Sequence, residues 1–360
     1  MSTTSNAWPG TITRAAQSRL QQVDFENLPF GRLFSDHMLT AEYRDGRWQA
    51  PEIVPFQPLS FAPSMAALHY GQSIFEGLKV YRRSDGTPLF FRLRDNHRRF
   101  VRSAERMVMP AVPEEIFLGG IRELVRVDAG WIPDRDGSAL YVRPVMFAAD
   151  DFIGVRPSES YRFVVFACPV GRYFSRPVKL WTTREFVRAS QGGTGEAKAA
   201  GNYAGCYAAI RQAQERGYDD VLWLDGREGR TIEECATMNV FFVIDGVAVT
   251  PDLSGTILRG ITRDSVLTLL AEMGVNAEER RISLDEVVGA HERGRLREVF
   301  GAGTAVTIAP VAAIGSADAA WTLPPEGATE RTIGAALLEQ LTGIRLGRIP
   351  DRHGWVEPLS

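Results

Sequence analysis

The chain has 360 residues, 44% hydrophobic and 24% charged, with a formal net charge of -3. That suffices for a large core, expected to split into two domains. The interspersed charge lacks the basic stripe of a nucleic-acid reader and gives no pull towards a membrane surface, so a small-molecule substrate is expected.

Residues 1–35 read as a poorly structured N-terminal arm, rich in Ser, Thr and Gln and without the apolar core of a signal peptide. A small N-terminal domain is expected over 36–168. It opens with a hairpin over 37–56 that turns at Asp45 and Gly46, and a second turn at Ser84, Asp85 and Gly86 precedes the strand TPLFFRL. A helix follows, with Phe100, Ala104, Met107 and Val108 on one face, then another over 114–129. SALYVRPVMFAAD and YRFVVFACPV are β-rich, and the first half therefore has an α+β pattern. The Pro- and Gly-bearing stretch 169–178 reads as an interdomain linker. A larger domain over 179–360 is strand-rich, with helices expected at about 202–216, 262–273, 284–292 and 327–342. The longest apolar runs, such as FVVFACPV (163–170), are too short to span a bilayer. Cys168, Cys206 and Cys235 form no CxxC pair, which points to a reducing, cytoplasmic setting.

Five segments could carry chemistry. In GGTGEAKAAGNYAGCYAA (192–209), Lys198 stands among small residues ahead of a helix whose apolar face runs Tyr203, Cys206, Tyr207 and Ile210. Close packing there desolvates an amine and readies it for imine formation. Spacing alone does not separate that from a solvated loop lysine. Ala197 rules out a Walker-type loop, which needs Gly before the Lys. In RTIEECATMNVFFV (230–243), Glu233 and Glu234 interrupt a strand and should face opposite ways, one solvated and one inward. A buried carboxylate needs a cationic partner, and a protonated heterocycle nitrogen would serve. Two charges at a strand edge fit the same pattern.

In SGTILRGITRDSVLTLLAEMG (254–274), a turn at Gly260 leads into a helix whose first N–H groups, at Ile261 and Thr262, could meet an anion. A plain helix start capped by Thr262 or Asp264 reads equally well. The turn Gly301 to Ala305 in EVFGAGTAVTIAPV (298–311) could let a ligand approach the backbone, or be a bulge. In LYVRPVMF (140–147), Tyr141 and Arg143 share one face of a strand, as surface charge or carboxylate clamp. The five histidines form no HxxxH spacing and no GxSxG elbow occurs, so hydrolase and metalloenzyme readings start weak, and no metal is expected.

In their order, LHYGQSIFEGLKVYR (68–82), FRLRDNHRRFVRSAERM, YVRPVMFA, GVRP, GEAKAAGNY, EECATMNVFF, ILRGITRDS, FGAGTA and DRHGW resemble the fold-type IV pyridoxal-phosphate enzymes, specifically branched-chain aminotransferases. The resemblance covers nearly the whole chain. It implies two α/β domains, the smaller N-terminal, and pyridoxal 5′-phosphate carried covalently by the catalytic Lys198, which would also shuttle a proton. Tyr203 would bond the cofactor's phenolic oxygen and Glu234 its ring nitrogen. Arg99, Ile261, Thr262 and Thr304 would hold its phosphate. Tyr141, Arg143 and Ala305 would form the carboxylate end of the substrate pocket, and Phe30, Tyr70, Phe75, Val155 and Thr237 its side-chain end. Tyr70 and Val155 would serve the neighbouring subunit of a homodimer.

The implied reaction is ping-pong transfer of the amino group of leucine, isoleucine or valine to 2-oxoglutarate. A D-amino-acid aminotransferase or aminodeoxychorismate lyase of the same fold is the alternative. The animal branch carries a CxxC pair just after the GTA turn; Val306 and Ala309 stand there instead.

Overall fold

The computed structural model describes residues 8–323 and 332–359. The chain divides into two units. Met1–Arg172, Ala197–Ala200 and Ile344–Ser360 form the first, and Tyr173–Glu196 and Gly201–Gly343 the second. Composition gives no reason to detach the last residues from the second half. Strand pairing does, because Val356–Pro358 runs antiparallel to Pro88–Phe91 in the first unit.

The first unit is built on a ten-stranded sheet. Asp45 and Gly46, both with positive φ, turn the hairpin between His37–Arg44 and Arg47–Trp48. Its longest pair, Ala139–Ala148 against Tyr161–Val170, is in register over ten residues. The helix Leu93–Arg106 buries Leu93, Asn96, Phe100, Ser103 and Ala104 at helical spacing. It stops before the expected Met107–Val108 turn, leaving Val108 left-handed and exposed. The helix expected over 114–129 is three pieces: a π turn Glu115–Gly119, an α-helix Gly120–Val127 and a short turn Ala129–Trp131. Gly120 is needed where helix meets sheet, because a Cβ there would lie 2.6 Å from Leu39.

The arm is pinned over its described part rather than loose. Thr11–Ile12 pairs with Glu52–Ile53, Ala15 N–H donates to His37 Nε2 (2.9 Å), and Ser18 and Trp131 donate to Asp36. Trp131 is fully buried under it. Ser, Thr and Gln marked this segment as polar without revealing that buried Asp36 and His37 anchor it.

The second unit holds a mixed nine-stranded sheet, with Ile232–Cys235 at one end and Ala277–Glu279 at the other. Val178–Thr182 runs parallel to both its neighbours, Asp220–Leu224 and Thr307–Gly315. The helix expected over 202–216 is broken into Ala200–Ala204 and Tyr207–Glu215. Its buried face is Asn202, Cys206, Ala209 and Ala213, one stripe at helical spacing, and Tyr207 lies off that stripe and is exposed. Ile261–Glu272 and Leu284–Glu292 match expectation, the latter capped by Ser283, which accepts from Glu286 N–H. The last helix is Ile333–Arg345; residues 327–331 of the expected span lie outside the described residues. Among the described residues, no helix is long and apolar enough to cross a membrane.

Candidate active site

In the first unit, Lys198 is tied down by its backbone. Its N–H donates to Ser103 Oγ (3.0 Å), its carbonyl accepts from Phe75 N–H (3.0 Å), and Ala199 bridges to Ile74. Ser103 in turn donates to the carbonyl of Arg99 one helical turn back. The stretch holding Lys198 is thus fixed to the helix holding Arg99. The lysine is half-buried, with Nζ 4.9 Å from the centre of the Phe75 ring.

Arg99 is buried, and Glu76, missed in the sequence, grips it from across the fold. Arg99 Nε donates to Oε1 (2.6 Å) and Nη2 to Oε2 (2.9 Å), a bidentate pair that fixes the plane of the guanidinium. The lone acid in SIFEGLKV, flanked by apolar strand residues, was the available signal.

Tyr141 and Arg143 do share a face, with Arg143 Nη2 donating to the Tyr141 hydroxyl (3.0 Å). Phe75 lies 4.6 Å from the guanidinium, and Phe30 meets the Tyr141 ring edge-on at 5.2 Å. Arg143 Nε is buried without a hydrogen-bond partner among the described residues. Gly77 is required beside this group, since a Cβ there would fall 1.9 Å from the Tyr141 hydroxyl. Lys79 stands directly across from Tyr141 on the next strand; burial, with Arg345 nearby, draws its ammonium down to about 7. Tyr70 and Val155 are exposed, Val155 at 94%.

In the second unit, Glu233 and Glu234 are both buried, at 5% and 4% exposure, against the expectation that one would be solvated. Residues 254–258 supply partners to both carboxylates. Glu234 Oε1 accepts from Arg188 Nη1 (2.8 Å) and Leu258 N–H (3.0 Å), and Oε2 accepts from Asn239 Nδ2 (3.2 Å). Glu233 Oε1 accepts from the Thr256 hydroxyl (2.5 Å), and burial pushes its carboxyl up to about 7. Arg188 and Asn239 went unnoticed in the sequence. Polar side chains on a loop and in a strand have no periodic signature.

Gly260 caps the helix Ile261–Glu272 with no side-chain cap, so Thr262 and Asp264 do not play that part. A Cβ on Gly260 would meet Asn239 Oδ1 at 1.9 Å, so the amide that holds Glu234 also requires the glycine at the helix start. Ile261 and Thr262 are buried, and N–H groups of a first helical turn lack intrahelical acceptors. Gly301 packs under Met238, whose Sδ would lie 2.0 Å from a Cβ there. The strand continues to Gly303, and Thr304 and Ala305 form the hairpin turn that closes at Thr307. Thr307 has φ 65, a left-handed conformation costing a β-branched residue about 1–3 kcal/mol. Tyr203 is half-buried on the helix Ala200–Ala204. Thr237 is exposed and donates to Asp220 (2.9 Å), whose carboxyl burial raises to about 6.

Residues 73–314 match the model of the amino-transferase class IV family. The chain is 45% identical over 341 residues to branched-chain-amino-acid aminotransferase 2 of Bacillus subtilis, covering 94% of this chain and 93% of the relative. The chain belongs to the class IV aminotransferases, among the branched-chain-amino-acid aminotransferases. A Mycolicibacterium smegmatis branched-chain-amino-acid aminotransferase is 43% identical over 357 residues, 97% of this chain and 96% of that one. The branched-chain aminotransferase of Thermoproteus uzoniensis, solved with norvaline, superposes with a TM-score of 0.74 at 26% identity, covering 90% of this chain and all of that one. A T.th. branched-chain aminotransferase complexed with N-(5′-phosphopyridoxyl)-L-glutamate gives 0.71 at 29% identity over 89% of this chain and 98% of its own. The fold is therefore fold-type IV and the chain is an enzyme of the branched-chain transaminase type.

Proposed function

We propose that the enzyme moves the amino group of leucine, isoleucine or valine to 2-oxoglutarate in two half-reactions, with pyridoxal 5′-phosphate bound through Lys198. The observation that carries this is the Glu234 carboxylate, buried and held by three donors, Arg188, Leu258 N–H and Asn239. Fixed as an acceptor, it suits a protonated ring nitrogen. The wider donor set fits the same cofactor: an amine at Lys198, a phenol at Tyr203, and backbone N–H groups at the helix start Ile261–Thr262. When bound, the cofactor supplies an electron sink for the substrate α-carbon.

The chain's own groups do the rest. The Lys198 amine holds the cofactor and moves the proton at the α-carbon. Glu234 would keep the proton on the ring nitrogen, and Tyr203 would donate to the phenolic oxygen. Arg99, oriented by Glu76, would be one holder of the phosphate, and Ile261, Thr262 and Thr304 the others. Arg143, whose Nε is buried without a hydrogen-bond partner among the described residues, and Tyr141 would receive the substrate carboxylate, with Ala305 proposed for the same end of the substrate. Phe30, Phe75 and Thr237 bound the aliphatic side chain.

Tyr70 and Val155 complete that pocket in a second copy, which makes the enzyme a homodimer. In support, Leu68, Tyr70, Phe152, Ile153 and Val155 are exposed on two segments stitched together by Met65–Asp151 bridging and Phe152 N–H to Ser64. Apolar exposure collected in this way marks an association surface.

Lys198→Ala tests the assignment through steady-state transamination of L-leucine. Turnover is expected to fall below about a hundredth of wild type, since one residue supplies both attachment and proton transfer. Activity above that level with a folded protein would remove Lys198 from the role.

A further inference from the structure

Glu233 has no part in the chemistry above, yet it is buried, and its Oε2 has no hydrogen-bond partner among the described residues. Its other oxygen accepts from the Thr256 hydroxyl (2.5 Å), with the Ser254 hydroxyl 2.9 Å from that of Thr256. Thr256 is where several restraints meet. Its carbonyl accepts from Arg188 Nη1 (2.9 Å), the same atom that donates to Glu234. Two residues on, Leu258 N–H donates to Glu234, and its carbonyl accepts from Asn239 Nδ2. The loop then reaches Gly260 and the helix start. On its other side the Thr256 backbone lies against Gly195, where a Cβ would fall 2.4 Å from the Thr256 carbonyl oxygen. Gly195 stands three residues before Lys198 in the chain. Adjacent strand residues project to opposite faces, and the loop 254–258 reaches both acids of the Ile232–Cys235 strand.

We propose that Glu233 is a positioning residue: by gripping the Thr256 hydroxyl it sets the loop 254–258, and through it the alignment of Arg188 and Leu258 N–H on Glu234. The proposal rests on the role given to Glu234 above. A buried acid suits this task because its hydrogen bond works in a low-dielectric setting, where losing the acceptor leaves a buried hydroxyl unpaired. Burial raises its carboxyl to about 7, with Thr256 opposing and Glu234 reinforcing the rise. Arg188 lowers it and Asp225 raises it. A folded pKa above the unfolded value means that the folded state binds the proton longer, so stability from this site falls as pH rises towards neutral.

The test compares E233A, E233Q, T256V and E234A in the full-length enzyme. The readouts are kcat and KM for L-leucine, the dissociation constant of pyridoxal 5′-phosphate from the apoprotein, and the unfolding midpoint against pH. E233A and T256V are expected to lower kcat about tenfold, the effect of one lost buried hydrogen bond, with KM changed less than about twofold. Cofactor dissociation should rise several-fold, because the loop leads into the helix start. E233Q keeps an acceptor for Thr256 and recovers most of that loss, while its unfolding midpoint is expected to fall less steeply towards neutral pH than that of wild type, Asp220 still contributing. Should E233A fail to fold, T256V carries the same comparison.

The proposal is overturned if E233A and T256V keep kcat and cofactor dissociation within about twofold of wild type while E234A collapses kcat; the Glu234 assignment then stands alone. If E234A too retains wild-type kcat, the role of Glu234 is wrong and the proposal falls with it.

Discussion

Each unit contains a buried Arg–Glu pair, and the two are built for opposite purposes. In the first unit, Glu76 spends both oxygens on Arg99 in a bidentate grip, and the pair's side chains are 5% and 0% exposed. In the second, Arg188 shares one nitrogen between Glu234 and the carbonyl of Thr256, while Glu234 takes further donors from Leu258 and Asn239. The first pair orients a cation and neutralises it locally. The second spreads its restraint over a loop, a strand and a helix start, holding an anion. In the proposed mechanism, the working member is the arginine in one and the carboxylate in the other, and its partner is a positioning group. A buried pair costs desolvation whichever way it is used, so its worth lies in the geometry it imposes.

Breaking the tighter pair should do the most damage. Glu76→Ala leaves Arg99 buried without its counterion, and a loss of about 3–5 kcal/mol in denaturant unfolding is expected. A loss below about 1 kcal/mol would mean that other groups hold the guanidinium. Glu234→Ala removes the working member of the second pair. Here the expected loss is in kcat, at least about 10²-fold or about 3 kcal/mol of barrier, with the cofactor retained. Should Glu233→Ala prove crippling and Glu234→Ala mild, the two acids have exchanged roles. Arg188→Lys sharpens the comparison at a lower level. It keeps the charge and loses the planar fork, so kcat should fall about tenfold while stability changes little. No fall would show that charge alone matters at this position.

The smallest effect is expected from the thiols. Burial raises the thiols of Cys168, Cys206 and Cys235, and thiols of that kind react slowly. Mild peroxide followed by dithiothreitol should leave activity nearly unchanged. A reversible loss that disappears in Cys235→Ser would reveal a switch at the residue next to Glu234.

Much of the fold could be read from pattern. The hairpin at Asp45 and Gly46 has the turn chemistry it needs, and Tyr141 and Arg143 share a face because strands alternate. What escaped were features set by tertiary contact. Met107 and Val108 continue the helical spacing, yet the helix ends at Arg106. Tyr207 has the right spacing from Tyr203, yet the stripe that is buried runs through Asn202, Cys206, Ala209 and Ala213. One of Glu233 and Glu234 was expected in solvent because alternation in an isolated strand has no knowledge of the loop 254–258 that supplies partners to both. The partners Glu76, Arg188 and Asn239 lie 23, 46 and 5 positions from the groups they hold, and no local pattern links such positions. The resemblance supplies the residues proposed to work, and only the structure supplies what holds them.

Absorbance of the purified full-length protein tests most directly whether Lys198 carries pyridoxal 5′-phosphate for branched-chain transamination. A visible-range band from bound cofactor should be present in wild type, shift when L-leucine is added, and return when 2-oxoglutarate follows, while Lys198→Ala loaded with the same cofactor fails to complete the cycle. A wild-type band that ignores L-leucine, or a full cycle in Lys198→Ala, would contradict the account.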